Sequence, residues 1–251
     1  SGWAMALMSA ALVFWQSGCK PNIAAADLPR LAVVLDDGGL TDRGLIKRLC
    51  KIPIRFSVAV LPGETHSVEC AELAHRAGKE VMVHLPMEPL SKPAALYLGH
   101  HPIMFGMTED EVRVQVRQHL GAVPHCAGVN NHMGSRITAN RQRMIWILEE
   151  VKAKGLFFVD SRTTKDTVAY SVAKELGVPA AQRAIYLDND KRFQEIQTQW
   201  QRAIASAGHD GQVLAIGHVS PETVAALEQL VPTAKGVVQF VTAGEIAGRL
   251  R

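Results

Sequence analysis

Five polar side chains that can bind a metal ion or carry a proton stand at the ends of apolar runs in this sequence. Asp36 and Asp37 follow the first run, and His84, His132 and His218 close later ones. Two imidazoles and one carboxylate leave coordination positions open for water and substrate, which a catalytic zinc site requires. The same set also suits non-haem iron. The ligand set that the pattern predicts is Asp37, His84 and His132.

The elements that would position these side chains alternate between strand and helix. Short apolar runs predict strands over residues 31–35, 55–60, 80–84, 127–129, 156–159, 184–187, 213–216 and 237–241. Amphipathic stretches predict helices over 41–51, 64–77, 108–120, 138–154, 168–176, 191–207, 221–230 and 243–250. Unbroken alternation predicts a single α/β domain with a parallel sheet. A closed or nearly closed barrel fits this pattern, and an open doubly wound sheet is the alternative.

Parallel strands also explain how residues far apart in the sequence can share one site. The carboxyl ends of such strands lie on one rim, where active sites form. A single Asp after a strand is often only a helix N-cap, and this interpretation applies to Asp188 and Asp190. A single His is often structural. Two histidines and an aspartate pair at separate strand ends are harder to explain as independent caps, so the pattern favours a shared metal site.

The other histidines receive weaker assignments. A loop over residues 86–106 is rich in Pro, Gly and His, and its His100 and His101 are candidates for lining the cleft. The remaining five are assigned to surface or packing positions: His66, His75, His119, His125 and His209.

Charge and cysteine content exclude several classes of protein. The chain has 27 basic and 24 acidic residues, a net charge of +3, and no Lys/Arg run typical of nucleic-acid binding. Its four cysteines form no CxxC pair, which argues against a cysteine zinc cluster. At most one disulfide would form if the N-terminus, with Cys19, were removed.

The first 26 residues differ from the rest. Residues 2–15 carry no charge, and three alanines at 24–26 offer a cleavage site for a signal peptide. The sequence Ser17-Gly18-Cys19 is a weakly lipobox-like alternative. We therefore predict a signal peptide or N-terminal anchor over 1–26, possible membrane association through it, and export to the bacterial periplasm or envelope. The domain itself is predicted over 27–251.

Five motifs in the sequence resemble the divergent polysaccharide deacetylases, which belong to the polysaccharide deacetylase superfamily. In order, they are LAVVLDDGGL, EVMVHLPMEP, GVNNHMGSRIT, FFVDSRTT and LAIGHVSPET, and together they extend the resemblance over about residues 30–245. The resemblance implies a distorted (β/α) barrel of about seven parallel strands with a metal ion near its mouth. It also implies removal of acetyl groups from an N-acetylated polysaccharide or sugar of the cell envelope.

The resemblance further implies a role for each main residue. Asp36 would be the catalytic base, Asp37 a ligand of the divalent metal, most simply Zn²⁺, and His218 the general acid. The wider superfamily takes both metal histidines from one HxxxH motif, which this chain lacks at the matching place. His84 and His132 would supply the pair instead.

Further residues around the motifs are candidates for substrate binding or for supporting the site. Asp160 or Arg162 would orient His218, and Arg136 or Arg162 would bind an acidic group on the substrate. The full set is Glu88, Asn130, Asn131, Ser135, Arg136, Asp160 and Arg162.

Three other functions compete with deacetylation. A catalytically degenerate carbohydrate-binding or regulatory protein would keep the same barrel, and the missing HxxxH motif favours it. A metal-dependent esterase or phosphodiesterase would need more cationic groups than Arg136 and Arg162. A purely structural barrel would not explain the polar clusters on one rim. The sequence does not predict an oligomeric state.

Overall fold

The computed structural model describes residues 28–91 and 98–248. All strands within these ranges pair in parallel. They are β1 (Arg30–Gly38), β2 (Ser57–Val60), β3 (Glu80–Met87), β4 (Cys126–Met133), β5 (Phe157–Asp160), β6 (Ala180–Gln182), β7 (Ile185–Tyr186), β8 (Gln212–His218) and β9 (Gln239–Val241). The helices are α1 (Arg43–Cys50), α2 (Ser67–Arg76), α3 (Glu109–Ala122), α4 (Arg141–Ala153), α5 (Ala169–Glu175), α6 (Phe193–Asp210), α7 (Pro221–Leu230) and α8 (Ala243–Ala247).

The sheet curls into a distorted barrel. Its strand order is β6-β5-β4-β3-β2-β1-β8-β7, and β9 pairs with the amino-terminal part of β1. Only residues 183 and 184 separate β6, which pairs with β5, from β7, which pairs with β8. One short segment therefore touches both edges of the curled sheet. The predicted single α/β domain and distorted barrel of about seven strands are confirmed.

Strict alternation along the strands separates two apolar layers, as in other barrels. Ala32 and Val34 of β1 belong to the inner cluster, together with Phe157 and Val159 of β5. Leu31, Val33 and Leu35 of β1 pack outward with the helices. Residues of α8 complete the inner cluster. Beyond the inner apolar layer, nearer the carboxyl ends of the strands, the side chains that point into the barrel are polar.

Helix starts follow local capping chemistry. Thr108 and Glu111 form the expected capping box at α3, and Ser220 caps α7 before a proline in its first turn. At α4 the predicted cap is wrong by two residues: Asn140, not Thr138, caps the helix. Thr138 is buried and donates its hydroxyl hydrogen to the carbonyl of Gly134 instead.

Several strands are longer than the apolar runs that predict them. β3 continues to Met87 and β4 to Met133, so the expected start of the loop at residue 86 is wrong and polar residues lie inside strands. β6 is an additional strand. The strands extend further because backbone hydrogen bonds between strands continue as long as a neighbouring strand continues, whether the side chains are polar or apolar.

Other predictions concern the chain ends and the cysteines. The predicted signal peptide or anchor, Cys19, and the end of the last predicted helix lie outside the described residues. Within those residues, Cys50 and Cys70 are free thiols, and Cys126 Sγ lies 3.6 Å from the Leu120 carbonyl oxygen. Among the described residues, no helix has both the length and the apolar character needed to cross a membrane.

Candidate active site

Polar side chains form the last layer of the barrel interior. Alternation that places Ala32 and Val34 inside also places Asp36 there. His84 of β3 pairs in register with Asn130 of β4, and both side chains are buried. These site residues therefore lie within the carboxyl-terminal residues of the strands, not after the strands as the sequence suggests.

A backbone irregularity brings the second aspartate to the same place. Strict alternation would send Asp37 to the opposite face from Asp36. The register between β1 and β2 instead shifts between Leu35 and Gly38, and Asp37 adopts a left-handed φ of 63°. Such backbone conformations are costly outside glycine and concentrate at functional sites. Both consecutive carboxylates consequently reach the site.

Three ligand atoms converge at the mouth of the barrel. Asp37 Oδ1 lies 3.4 Å from His84 Nε2 and 3.4 Å from His132 Nδ1. The two ring nitrogens lie 3.1 Å apart. Ligands at about 2.0–2.1 Å from a tetrahedral zinc ion lie roughly 3.3–3.4 Å from one another, so these separations fit one ion. The structure thus has a possible three-residue metal site of Asp37, His84 and His132.

Hydrogen bonding fixes which ring nitrogen of His84 faces this point. Asn130 donates through Nδ2 to Asp36 Oδ1 over 2.8 Å, which leaves its Oδ1 to accept from His84 Nδ1 over 2.8 Å. A proton on Nδ1 leaves the lone pair on Nε2, which is the form that binds a metal. Asn130 therefore supports the predicted ligand.

The electrostatics of Asp37 match those of a ligand. Burial raises its pKa, but the contacts with His132 and His84 outweigh burial and hold the pKa well below its usual range. Asp37 is thus a carboxylate at any ordinary pH. Its Oδ1 is buried and accepts no hydrogen bond from the described residues. A buried anionic oxygen without a donor is what a cation would satisfy.

Asp36 has the opposite character. Its side chain is 3% exposed, and burial raises its pKa despite the opposing influence of His84 and His218. Asn130 binds Oδ1, whereas Oδ2 lies 3.7 Å from His84 Nε2. A carboxylate whose pKa is raised by burial has the properties of a general base.

His218 faces Asp36 from the adjacent strand and belongs to a buried network. The two residues are register partners on β1 and β8. Asp188 Oδ1 accepts from His218 Nδ1 over 2.9 Å, and Oδ2 accepts from the His218 backbone N–H and from Thr223 Oγ1 over 2.7 and 2.6 Å. Burial lowers the pKa of His218, but Asp188 outweighs burial and raises it to about 9.

Asp188 is the residue of the candidate site that the sequence interpretation undervalues. The sequence offers Asp188 as a helix N-cap, yet its carboxylate binds His218, and the neighbouring helices α6 and α7 are capped by Arg192 and Ser220. Burial raises the pKa of Asp188, but its bonds to His218 and Thr223 lower the pKa further than burial raises it. The available signal is its place directly after the predicted strand over residues 184–187.

The structure does not bring Asp160 or Arg162 to His218, so the expectation that either one orients this histidine is wrong. Asp160 is one residue out of phase with the inner positions 157 and 159, and it therefore faces α5. Its oxygens accept from the Arg162 N–H, the Thr167 hydroxyl and the Tyr170 N–H.

The remaining candidates support the rim. Asn131 joins the ends of β4 and β5 because its Oδ1 accepts from the Ser161 N–H over 2.9 Å. Ser135 accepts from the Leu90 N–H. Arg136 pairs with Glu88 over 2.6 Å and lies over the Phe105 ring, so its charge is already partnered.

None of the other histidines that the structure describes belongs to the group of three ligands. His119 is buried, and its Nε2 contacts the carbonyl of His101 over 2.8 Å. His75 and His125 stack on the surface with ring centroids 3.8 Å apart. His100 lies 3.7 Å from a carboxylate oxygen of Glu64. The remaining two, His66 and His209, lie near Glu69 and Asp210 respectively.

Comparison with known proteins gives consistent matches. The model of the family described as divergent polysaccharide deacetylase matches residues 33–247. The uncharacterized protein YibQ of Escherichia coli K12 is 38% identical over 202 residues, which cover 80% of this chain and 62% of YibQ. The chain therefore spans about three fifths of that relative. An uncharacterized Haemophilus influenzae protein is 34% identical over 219 residues, which cover 86% of this chain and 76% of the Haemophilus protein.

Solved structures share the fold. An uncharacterized protein of Agrobacterium tumefaciens C58 superimposes with a TM-score of 0.82 at 19% identity, covering 90% of this chain and 91% of its own. The catalytic domain of a peptidoglycan N-acetylglucosamine deacetylase from Eubacterium rectale has a TM-score of 0.53 at 14% identity, with coverages of 89% and 90%. At these identities the likeness concerns the fold.

Proposed function

This chain belongs to the divergent polysaccharide deacetylase family, and from that premise we propose that it is a metal-dependent hydrolase that removes acetyl groups from an N-acetylated glycan of the cell envelope. One observation carries the proposal. The ligand set Asp37, His84 and His132 shares the barrel mouth with a buried carboxylate, Asp36, and a protonated imidazole, His218. A binding protein would have no need of this combination.

The residues at the mouth fit a divalent ion, and we propose Zn²⁺. The supporting observations are the 3.1–3.4 Å separations of the ligand atoms and the unsatisfied Oδ1 of Asp37. When bound, such an ion supplies Lewis-acid polarisation of the acetyl carbonyl and lowers the pKa of water. Asn130 holds His84 in the tautomer that binding requires.

The chain's own residues supply the proton transfers that amide hydrolysis needs. Asp36 takes the proton from the attacking water, since its Oδ2 is not engaged by Asn130. His218 donates a proton to the departing nitrogen, because a pKa of about 9 keeps it protonated near neutral pH. Asp188 fixes the ring through Nδ1, so the proton on Nε2 is the one available to the substrate.

Acetate release from N-acetylglucosamine oligomers by the zinc-loaded protein tests this function. We expect release by the wild-type chain, and a loss of about 10²- to 10⁴-fold in rate for Asp36→Asn, typical of a missing general base. Metal content should be equal in both proteins, because Asp36 is not one of the three ligands.

Two results would contradict the proposal. Full-rate release by Asp36→Asn would remove the role of Asp36. Binding of the oligomers without acetate release, by wild-type protein that contains metal, would favour the degenerate carbohydrate-binding protein on the same barrel.

A further inference from the structure

Three basic side chains line one cleft beside the carboxyl rim. Arg162 and Lys165 come from the segment after β5, and Arg183 lies between β6 and β7. With Thr164 and Ala184 they enclose about 350 Å³. The mechanism above uses none of these cations.

The positive charge of the cleft is not neutralised by the protein. Over residues 28–91 and 98–248, none of the three cations forms an ion pair, in contrast to Arg136 and Arg192. Three carboxylates lie nearby without forming an ion pair with these cations. Asp160 is occupied by hydrogen bonds to its own segment and α5, Asp166 follows Lys165 in the chain, and Asp210 lines a neighbouring cavity with Arg162 and Arg183. Three unpaired cations around one cavity attract an anion.

The cleft is a built feature. Arg183 donates through Nε to the Ser161 carbonyl over 2.7 Å and through Nη2 to the Arg162 carbonyl over 3.0 Å. Its guanidinium lies 3.6 Å from the centre of the Tyr186 ring. Arg162 adopts a left-handed φ of 48°, fixed by the bond from its N–H to Asp160. The Arg183 backbone N–H donates to the Asp160 carbonyl over 2.9 Å, so hydrogen bonds hold the backbone of both arginines.

The cleft adjoins the catalytic histidine. Tyr186 stacks on Arg183 and also on His218, with 6.3 Å between the Tyr186 and His218 ring centroids. Arg183 and Tyr186 line a second cavity of about 300 Å³, which also contains Asp190 and Glu195. The two acidic residues of the second cavity offset the charges of Arg183 and Arg202, so an anion is less favoured there than in the first cleft.

We propose that the cleft of Arg162, Lys165 and Arg183 binds a carboxylate carried by the glycan, so that the preferred ligand is an acidic N-acetylated polysaccharide. The assignment of this ligand as a substrate rests on the proposed deacetylase function. The planar guanidinium of Arg162 can pair with a carboxylate through two parallel hydrogen bonds, and the Lys165 ammonium adds a point charge. Arg183, whose Nε and Nη2 already donate to backbone carbonyls, contributes positive charge.

Binding of two tetrasaccharides tests the proposal, measured by calorimetry in an Asp36→Asn background that prevents turnover. One alternates N-acetylglucosamine with glucuronic acid, and the other is neutral N-acetylglucosamine. Arg162→Gln/Lys165→Gln should lower the affinity for the acidic ligand about tenfold or more and the affinity for the neutral ligand less than threefold. The control, Lys51→Gln/Lys154→Gln, removes the same charge from C-terminal caps of α1 and α4 at the opposite end of the barrel and should change neither.

Equal weakening of both ligands, or equal loss in the control variant, would overturn the carboxylate site. So would a parent protein that binds the neutral ligand as tightly as the acidic one. Because binding is measured without turnover, failure of the deacetylase function would appear separately, as absent acetate release by the wild-type chain.

Discussion

At the residue scale, Asn130 links the two halves of the site. Its amide nitrogen binds Asp36 and its oxygen binds His84, so one buried side chain positions both the proposed base and a proposed ligand. Asp188 does the same for the proposed acid, His218. Each reacting group is thus oriented by a partner that is itself buried, which limits its freedom to reorient.

The pKa of His218 depends on Asp188, and this dependence is testable. His218 stays protonated below about pH 9, and general-acid activity is lost as the pH rises through that value. In Asp188→Asn the largest raising influence is gone, while burial and the smaller raising influences of Asp36 and Asp37 remain, so the pKa of His218 should fall well below its wild-type value. The activity at high pH should then disappear at a lower pH than in the wild type. NMR titration of the His218 ring measures the pKa, and the pH profile of kcat/KM measures its consequence.

Asp190→Asn is the matched control for that variant. Asp190 lies two residues away, is exposed and pairs with Arg192. Its loss should leave both the titration and the profile unchanged. An unchanged His218 titration in Asp188→Asn would contradict the assignment.

The alternation of side chains between the two faces of each strand decides which of the predicted residues reach the site. Alternation from inner apolar residues places Asp36, His84, Asn130 and His218 inside and Asp160 outside, and the sequence contains this information. The position of Asp37 could not be predicted that way, because a register shift and a left-handed φ break the alternation. Its role came from the family resemblance and from chemistry.

At the scale of the elements, turns after the strands hold the rim in shape. Gly134 follows β4 with a φ of 84°, and a Cβ built there would lie 2.7 Å from Met87 Cβ. The same β4–turn segment carries His132 and Ser135. We therefore expect this glycine to be needed for both conformation and space.

Gly134→Ala should destabilise the protein more than Gly155→Ala. Gly155 also has a positive φ, of 65°, but a Cβ there meets nothing within 4 Å. The control should therefore lose only about 1–2 kcal/mol for a left-handed alanine. Gly134→Ala should lose about 1–3 kcal/mol more through overpacking. Urea denaturation measures the free energy of unfolding, and equal losses would show that the contact with Met87 relaxes without cost.

Element type was easier to predict than element length. Each predicted strand and helix within the described residues has a counterpart, because periodic burial fixes the type. β4 extends through Asn130 and His132 because β3 continues beside it, a partner that a local pattern cannot reveal. The sequence also could not predict that β6 and β7 are separate strands that pair with opposite edges, since this pairing depends on the curl of the whole sheet.

At the scale of the whole molecule, the curl of the sheet is what gathers residues from β1, β3, β4 and β8 at one mouth. α8 lies against the inner apolar layer, to which Ala243 and Ala247 contribute. The polar layer is therefore supported by an apolar interior. We propose an envelope location from the sequence of residues 1–26, which lie outside the described structure.

Metal content tests the central claim most directly. We would load the purified protein with Zn²⁺, remove unbound ion and determine the metal by elemental analysis. The wild-type chain should retain about one ion, and His84→Ala/His132→Ala should retain none, because only one ligand remains. His75→Ala/His125→Ala, which removes two histidines from the surface, should retain the wild-type amount. Equal metal in all three proteins, or none in the wild type, would contradict the account.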